Sequence, residues 1–159
     1  MQRPDEKEKT MTESPTTLGT RTPWHLWVVA IVALLWNSVG AVDYVMTQTR
    51  NAQYMASFTP QQLAFFYSLP AWTIAAWATG VWGGLLGSLL LLFRKGIACW
   101  FFLASLIGVM LTNFQNYILS NGLEVMGGAG ALVFSAVIFV VAVGLYVYAS
   151  AMLKRGVIA

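Results

Sequence analysis

Four long apolar runs alternate with short polar stretches along the chain. The first extends from about Trp24 to Met46 and the second from about Pro70 to Phe93. The third covers about Ile97 to Leu119 and the fourth about Gly130 to Leu153. Each exceeds the roughly 20 residues that an α-helix needs to cross the hydrocarbon core of a bilayer. Backbone groups in lipid must satisfy one another, so these runs read as helices; barrel strands would be about half as long. The pattern predicts an all-α fold, a four-helix transmembrane bundle over residues 23–159, preceded by a polar tail over residues 1–22. The tail is mixed in charge and has no apolar periodicity, so disorder is expected there.

The connection from Thr47 to Leu69 holds one further element. Thr59-Pro60-Gln61-Gln62 carries a capping threonine, a proline at the first helical position and a glutamine at the capping-box position. Leu63, Phe65, Phe66 and Tyr67 follow, predicting a short amphipathic helix in the membrane interface. Gly127-Gly128-Ala129-Gly130 reads as a turn into the fourth helix.

Composition agrees with the pattern. The chain is 58% hydrophobic and only 9% charged, against about 25% charged in a soluble domain. The net charge of +3 is spread over the ends of the apolar runs. No basic face forms to track phosphates, so nucleic acid is excluded as a partner. Arg3, Lys7, Lys9, Arg21, Arg94, Lys95, Lys154 and Arg155 fall on one side of the predicted bundle, and Arg50 alone on the other. By the positive-inside rule both termini face the cytoplasm. The one cysteine, Cys99, lies in an apolar run and reads as a small buried hydrophobe. His25, beside Trp24, reads as an interfacial residue. It has no companion at metal-ligand spacing, and no Ser–His–Asp set can be assembled. Neither a cofactor nor a metal is expected, and an enzyme is the least expected class.

Two patterns carry the functional reading. In the second run Ala76, Gly80, Gly84 and Ser88 recur every four residues, with Gly83 and Gly87 beside them. Such a stripe lets another helix approach closely. It serves either packing within the bundle or self-association, and with four helices available packing within the bundle is expected. The second pattern is polar. At about 1.5 Å per residue, Asn37 and Asp43 lie about 20 and 28 Å along the first helix. Asn113 and Asn116 lie about 24 and 28 Å along the third. Asn113, Asn116, Tyr117 and Ser120 share one helical face, as do Asn37, Ala41, Tyr44 and Gln48. Trp36, Gly40, Asp43 and Thr47 form the face adjoining the latter. The two polar faces are expected to meet across a helix interface at matched depth. Such amides serve as interhelical bonds or as an outward vestibule for a small polar solute. Asp43 either stays solvated, pairs with Arg50, or marks a ligand or ion site. The candidate binding residues are therefore Asn37, Asp43, Tyr44, Asn113, Asn116 and Tyr117, with Trp36 adding an aromatic face.

The chain also matches itself. Asp43-Tyr44-Val45-Met46-Thr47-Gln48 aligns in kind with Asn116-Tyr117-Ile118-Leu119-Ser120-Asn121. Phe93-Arg94-Lys95-Gly96 aligns likewise with Leu153-Lys154-Arg155-Gly156. A tandem hairpin repeat is one account of this; the shared demands of a membrane hairpin are the other.

At Trp36-Asn37, Gly40-Ala41, Asp43 through Asn51, Phe58-Thr59-Pro60 and Leu119-Ser120-Asn121-Gly122 the chain resembles a group of small four-helix bacterial membrane proteins. These often carry a provisional sugar-transporter label. The resemblance covers about residues 24 to 153. It implies a multipass protein of the bacterial inner membrane and a sugar-like solute. Two functions are carried forward: binding or passage of a polar solute from the outer side, by a homo-oligomer, or a scaffold subunit that docks on a larger membrane complex through the Ala76–Ser88 stripe.

Overall fold

The computed structural model describes residues 22–159, so the expected tail falls outside the described residues except for Thr22. The described chain is helical throughout, with no strand. Four helices are long and apolar enough to cross a membrane. They are α1, Trp24–Gln48; α4, Ala71–Leu92; α5, Ala98–Phe114, which runs on into one π turn, Gln115–Leu119; and α7, Ala129–Lys154. The bounds lie within two residues of those read from the sequence. Three short elements complete the chain: α2, Ala52–Met55; α3, Pro60–Tyr67; and α6, Gly122–Val125.

Local chemistry sets the ends. Pro23 and Pro70 precede α1 and α4 in extended backbone. The Thr59 hydroxyl accepts from the Gln62 amide at 3.3 Å, and the Thr59 amide donates to the Gln62 side chain at 3.0 Å. This is the reciprocal box the sequence predicts for α3. Gly127 and Gly128 have φ values of 105° and 63°. That left-handed backbone excludes most side chains, so the turn into α7 requires glycine.

The four long helices pack as an open chain. α1 lies on α4, α4 on α5, and α5 on α7. α1 and α7 do not pack along their lengths. They meet near one end, where His25 Nδ1 and the Tyr148 hydroxyl are 2.5 Å apart. That end carries Arg94, Lys95, Lys154 and Arg155, and is called here the basic end. The core is concentrated there. Leu26, Ala30, Leu91, Ala98, Phe102, Ala149 and Met152 form one buried cluster. The chain terminus is part of it: Val157 and Ile158 are buried. Ala159 N donates to Arg94 O at 3.0 Å, and Gly96 N donates to Ala159 O at 2.8 Å. The Arg94 guanidinium donates to Val157 O at 3.1 and 3.2 Å.

The small-residue stripe is filled by the chain's own helices. Ala76, Gly80, Gly83, Gly84, Gly87 and Ser88 are all buried. A Cβ on Gly83 would come within 3.0 Å of Phe101 O, and one on Gly87 within 2.9 Å of the Phe102 ring. α5 answers with Gly108, whose Cβ position is 2.5 Å from both Ala76 O and Gly80 N. The close contact is sealed by Ser105, whose hydroxyl donates to Gly80 O at 2.5 Å.

Candidate functional site

Away from the core the helices diverge and enclose a cavity of about 550 Å³. That volume lies in the range of small-molecule sites, roughly 300–1,000 Å³. Each long helix gives it one face. α1 contributes Trp36, Asn37, Val39, Gly40 and Asp43; α4 contributes Trp77, Gly80, Val81 and Gly84. α5 and the π turn after it contribute Phe102, Ser105, Val109, Thr112, Asn113 and Asn116. α7 contributes Phe134, Ser135, Ile138, Val141, Ala142 and Leu145. Tyr54, Phe65, Phe66, Leu69 and Met126 close the end opposite the core. These residues come from α2, α3, the link between α3 and α4, and the α6 region. The roof is held shut where α3 meets α6: the backbone of Gly122 lies against the Asn116 carbonyl and the Phe65 ring.

Four of the six candidate residues line this cavity: Asn37, Asp43, Asn113 and Asn116. Their polar atoms are used differently. Asn37 is committed to the protein. Its amide donates to Ala33 O at 2.8 Å and to Ser88 Oγ at 3.2 Å, and Ser88 in turn donates to Gly84 O at 2.8 Å. Asp43 accepts from the Tyr54 hydroxyl. Arg50 turns away from Asp43 and lies over the Tyr67 ring, 4.2 Å from its centre. In the π turn after α5, Asn116 Oδ1 is buried and has no hydrogen-bond partner. A buried unpaired carbonyl costs about 1–3 kcal/mol, a cost the ligand-free protein carries beside the cavity.

Tyr44 and Tyr117 do not line the cavity. The Tyr44 ring packs edge-on to Trp77 at 5.0 Å, behind the cavity wall. Tyr117 faces α7, where its hydroxyl is 2.6 Å from Ser135 Oγ and donates to Ala131 O at 3.2 Å. The two polar faces do not meet as an interface either, because α4 stands between α1 and α5. Only Asn37 of the first face and Asn113 and Asn116 of the second line the cavity. On α1 the cavity face is Trp36, Gly40 and Asp43, the adjoining face of the sequence reading, while Ala41 is buried. The aligned hexapeptides also differ in backbone. Residues 43–48 are regular α-helix, whereas 116–119 lie in the π turn. Ser120 Oγ donates there to the Gln115 and Asn116 carbonyls at 2.8 and 3.1 Å. Such turns satisfy fewer regular helix bonds and occur often at functional sites.

Sequence reasoning missed Tyr54, Ser105, Thr112 and Ser135. Ser105, Thr112 and Asn116 are spaced seven and four apart, a signal for a shared helical face. Tyr54 has no such signal, since only the course of the loop brings α2 back over Asp43.

Tyr54 lies outside the long helices, and its hydroxyl is pushed from 10.0 up to about 12. Burial is the largest cause, followed by the hydrogen bond to Asp43 and its negative charge. The folded value is raised, so the stabilisation is complete below pH 10.0 and is lost as pH rises through about 12. An ultraviolet phenolate titration is expected to lose one late-ionising tyrosine in Tyr54→Phe. An unchanged high-pH limb in that variant would contradict the assignment.

Among the described residues no group of three or more His, Cys, Asp or Glu side chains is placed to hold a metal. Comparison with protein-family models, with curated proteins and with solved structures finds no match.

Proposed function

We propose that this chain is a multipass membrane protein that binds a small solute bearing hydrogen-bonding groups in the cavity between its four long helices. The observation that carries this reading is the cavity itself, with Asp43, Asn113 and Asn116 on its wall. Four apolar helices of spanning length support the membrane setting. The basic residues support an orientation with both termini in the cytoplasm and the roofed end outside, as in a bacterial inner membrane. A sugar belongs to this solute class, and the resemblance to provisionally labelled sugar transporters favours it. Passage through the chain would require the Leu26–Leu91–Phe102 core to part, so binding is the primary reading and transport its extension. A scaffold docking through the Ala76–Ser88 stripe has less support, because α5 and α1 already cover that stripe.

Equilibrium binding of radiolabelled glucose, glycerol and n-octyl glucoside to the nanodisc-reconstituted protein tests the reading. At least one is expected to bind saturably. Asp43→Asn is expected to weaken that binding by about 10- to 100-fold, the worth of a hydrogen bond to a charged group. Binding unaffected by Asp43→Asn and by Asn113→Ala, in variants with native circular dichroism, would overturn it.

A further inference from the structure

The walls of the cavity are not equally closed. The basic end is plugged by the buried cluster around Phe102, which is 2% exposed. The opposite end is roofed by Phe65, Phe66 and Met126. Two sides are sealed by the packing of α4 on α1 and on α5, and a third by α5 on α7. The remaining side is the unpacked edge between α1 and α7. Three lining residues are also exposed on the surface of the protein: Trp36 at 38%, Val39 at 72% and Phe134 at 61%. All three stand on α1 or α7 and flank that edge. In a bilayer this edge faces acyl chains rather than water.

The lining is sorted along the cavity. From Ile138 to Leu145 the α7 wall is apolar, and Val109 and Phe102 face it from α5. The deep polar groups, Asn37 and Ser105, spend their donors on the protein. Asn116 lies near the roof with Asp43 and Asn113, and its buried Oδ1 has no partner within the protein. No lysine or arginine lines the cavity among the described residues, so nothing there would neutralise a phosphate.

Resting on the solute-binding reading above, the geometry points to an amphiphile as the occupant. It has one apolar tail and an uncharged, hydroxyl-bearing head, and it enters sideways from the lipid between α1 and α7. The tail lies along Ile138, Val141, Ala142 and Val109. The head donates to Asp43 and meets the Asn113 and Asn116 amides under the roof. A sugar-headed lipid or a long-chain alcohol has this chemistry; an anionic phospholipid does not.

The test uses the full chain in nanodiscs and an alkyl glucoside with a diazirine on its tail. Light-induced adducts are located by mass spectrometry. Labelling is expected on Ile138, Ala142 or Val109. It should be competed at least tenfold better by unlabelled n-octyl glucoside, below its micelle-forming concentration, than by octyl phosphate or free glucose. Ala142→Trp, which fills the tail region, should lose the inner adducts, and Asn116→Ala should weaken competition several-fold. Adducts confined to the outward residues Val133 and Val140 would show ordinary lipid contact and overturn the inference. Equal competition by octyl phosphate would overturn the uncharged head. Protection by free glucose alone would overturn the amphiphile while leaving the solute-binding reading standing. Saturable binding of no solute, with no inner adduct, would remove both.

Discussion

Replacing Gly108 by alanine is expected to cost about 2 kcal/mol of stability, and by valine about 3 kcal/mol or more. The added Cβ would lie 2.5 Å from Ala76 O and Gly80 N and 2.9 Å from Gly80 Cα. All three are backbone atoms of α4, which cannot rotate out of the way as a side chain can. The helices must separate. That also removes the Ser105 bond to Gly80 O and loosens the floor of the cavity. Gly144 in α7 is the control, since a Cβ there meets nothing within 4 Å. Gly144→Ala should leave stability unchanged or raise it by up to about 1 kcal/mol, through helix propensity alone. Unfolding in mild detergent followed by circular dichroism measures both. Equal stability of the two alanine variants would show that the α4–α5 approach is not the main packing contact.

Asn116→Leu is expected to move stability and binding in opposite directions. Asn116 Oδ1 is buried without a partner, and leucine has a similar shape with no group to leave unpaired. The ligand-free protein should gain about 1–2 kcal/mol. Binding of the solute should weaken several-fold, because an amide of the cavity wall is gone. Sites that keep an unpaired polar group at a cost in stability characteristically trade the two in this way. Paired unfolding and binding measurements on one preparation give the answer. A loss of stability would mean that the oxygen is bonded in the free protein. Unchanged binding would remove Asn116 from the site.

The candidate site was partly legible. Depth was the readable coordinate: counting residues from the helix start placed Asn37, Asp43, Asn113 and Asn116 about 20–28 Å along their helices, in the outer part of the bundle, and all four line one cavity. Direction around the helix axis was less readable. Tyr44 and Tyr117 share depth with the site, yet Tyr44 packs behind Trp77 and Tyr117 bonds to α7. A helical wheel groups residues that share a face. It does not say which neighbour that face meets, and the π turn changes the wheel after Phe114.

What the sequence determined by itself is whatever depends on the chain and its solvent alone. Four helices follow from the length and apolarity of four runs, because a backbone in hydrocarbon must bond to itself. The Thr59 box and the glycine turn before α7 follow from contacts within a few residues. What only the tertiary structure decided depends on which helices are neighbours. It decided that α5 and α1 occupy the Ala76–Ser88 stripe, and that Asp43 meets Tyr54 rather than Arg50. It decided that α1 and α7 touch at His25–Tyr148 and part beyond it. These are choices among partners of nearly equal apolarity, settled by fit over many side chains at once, and no local pattern records them.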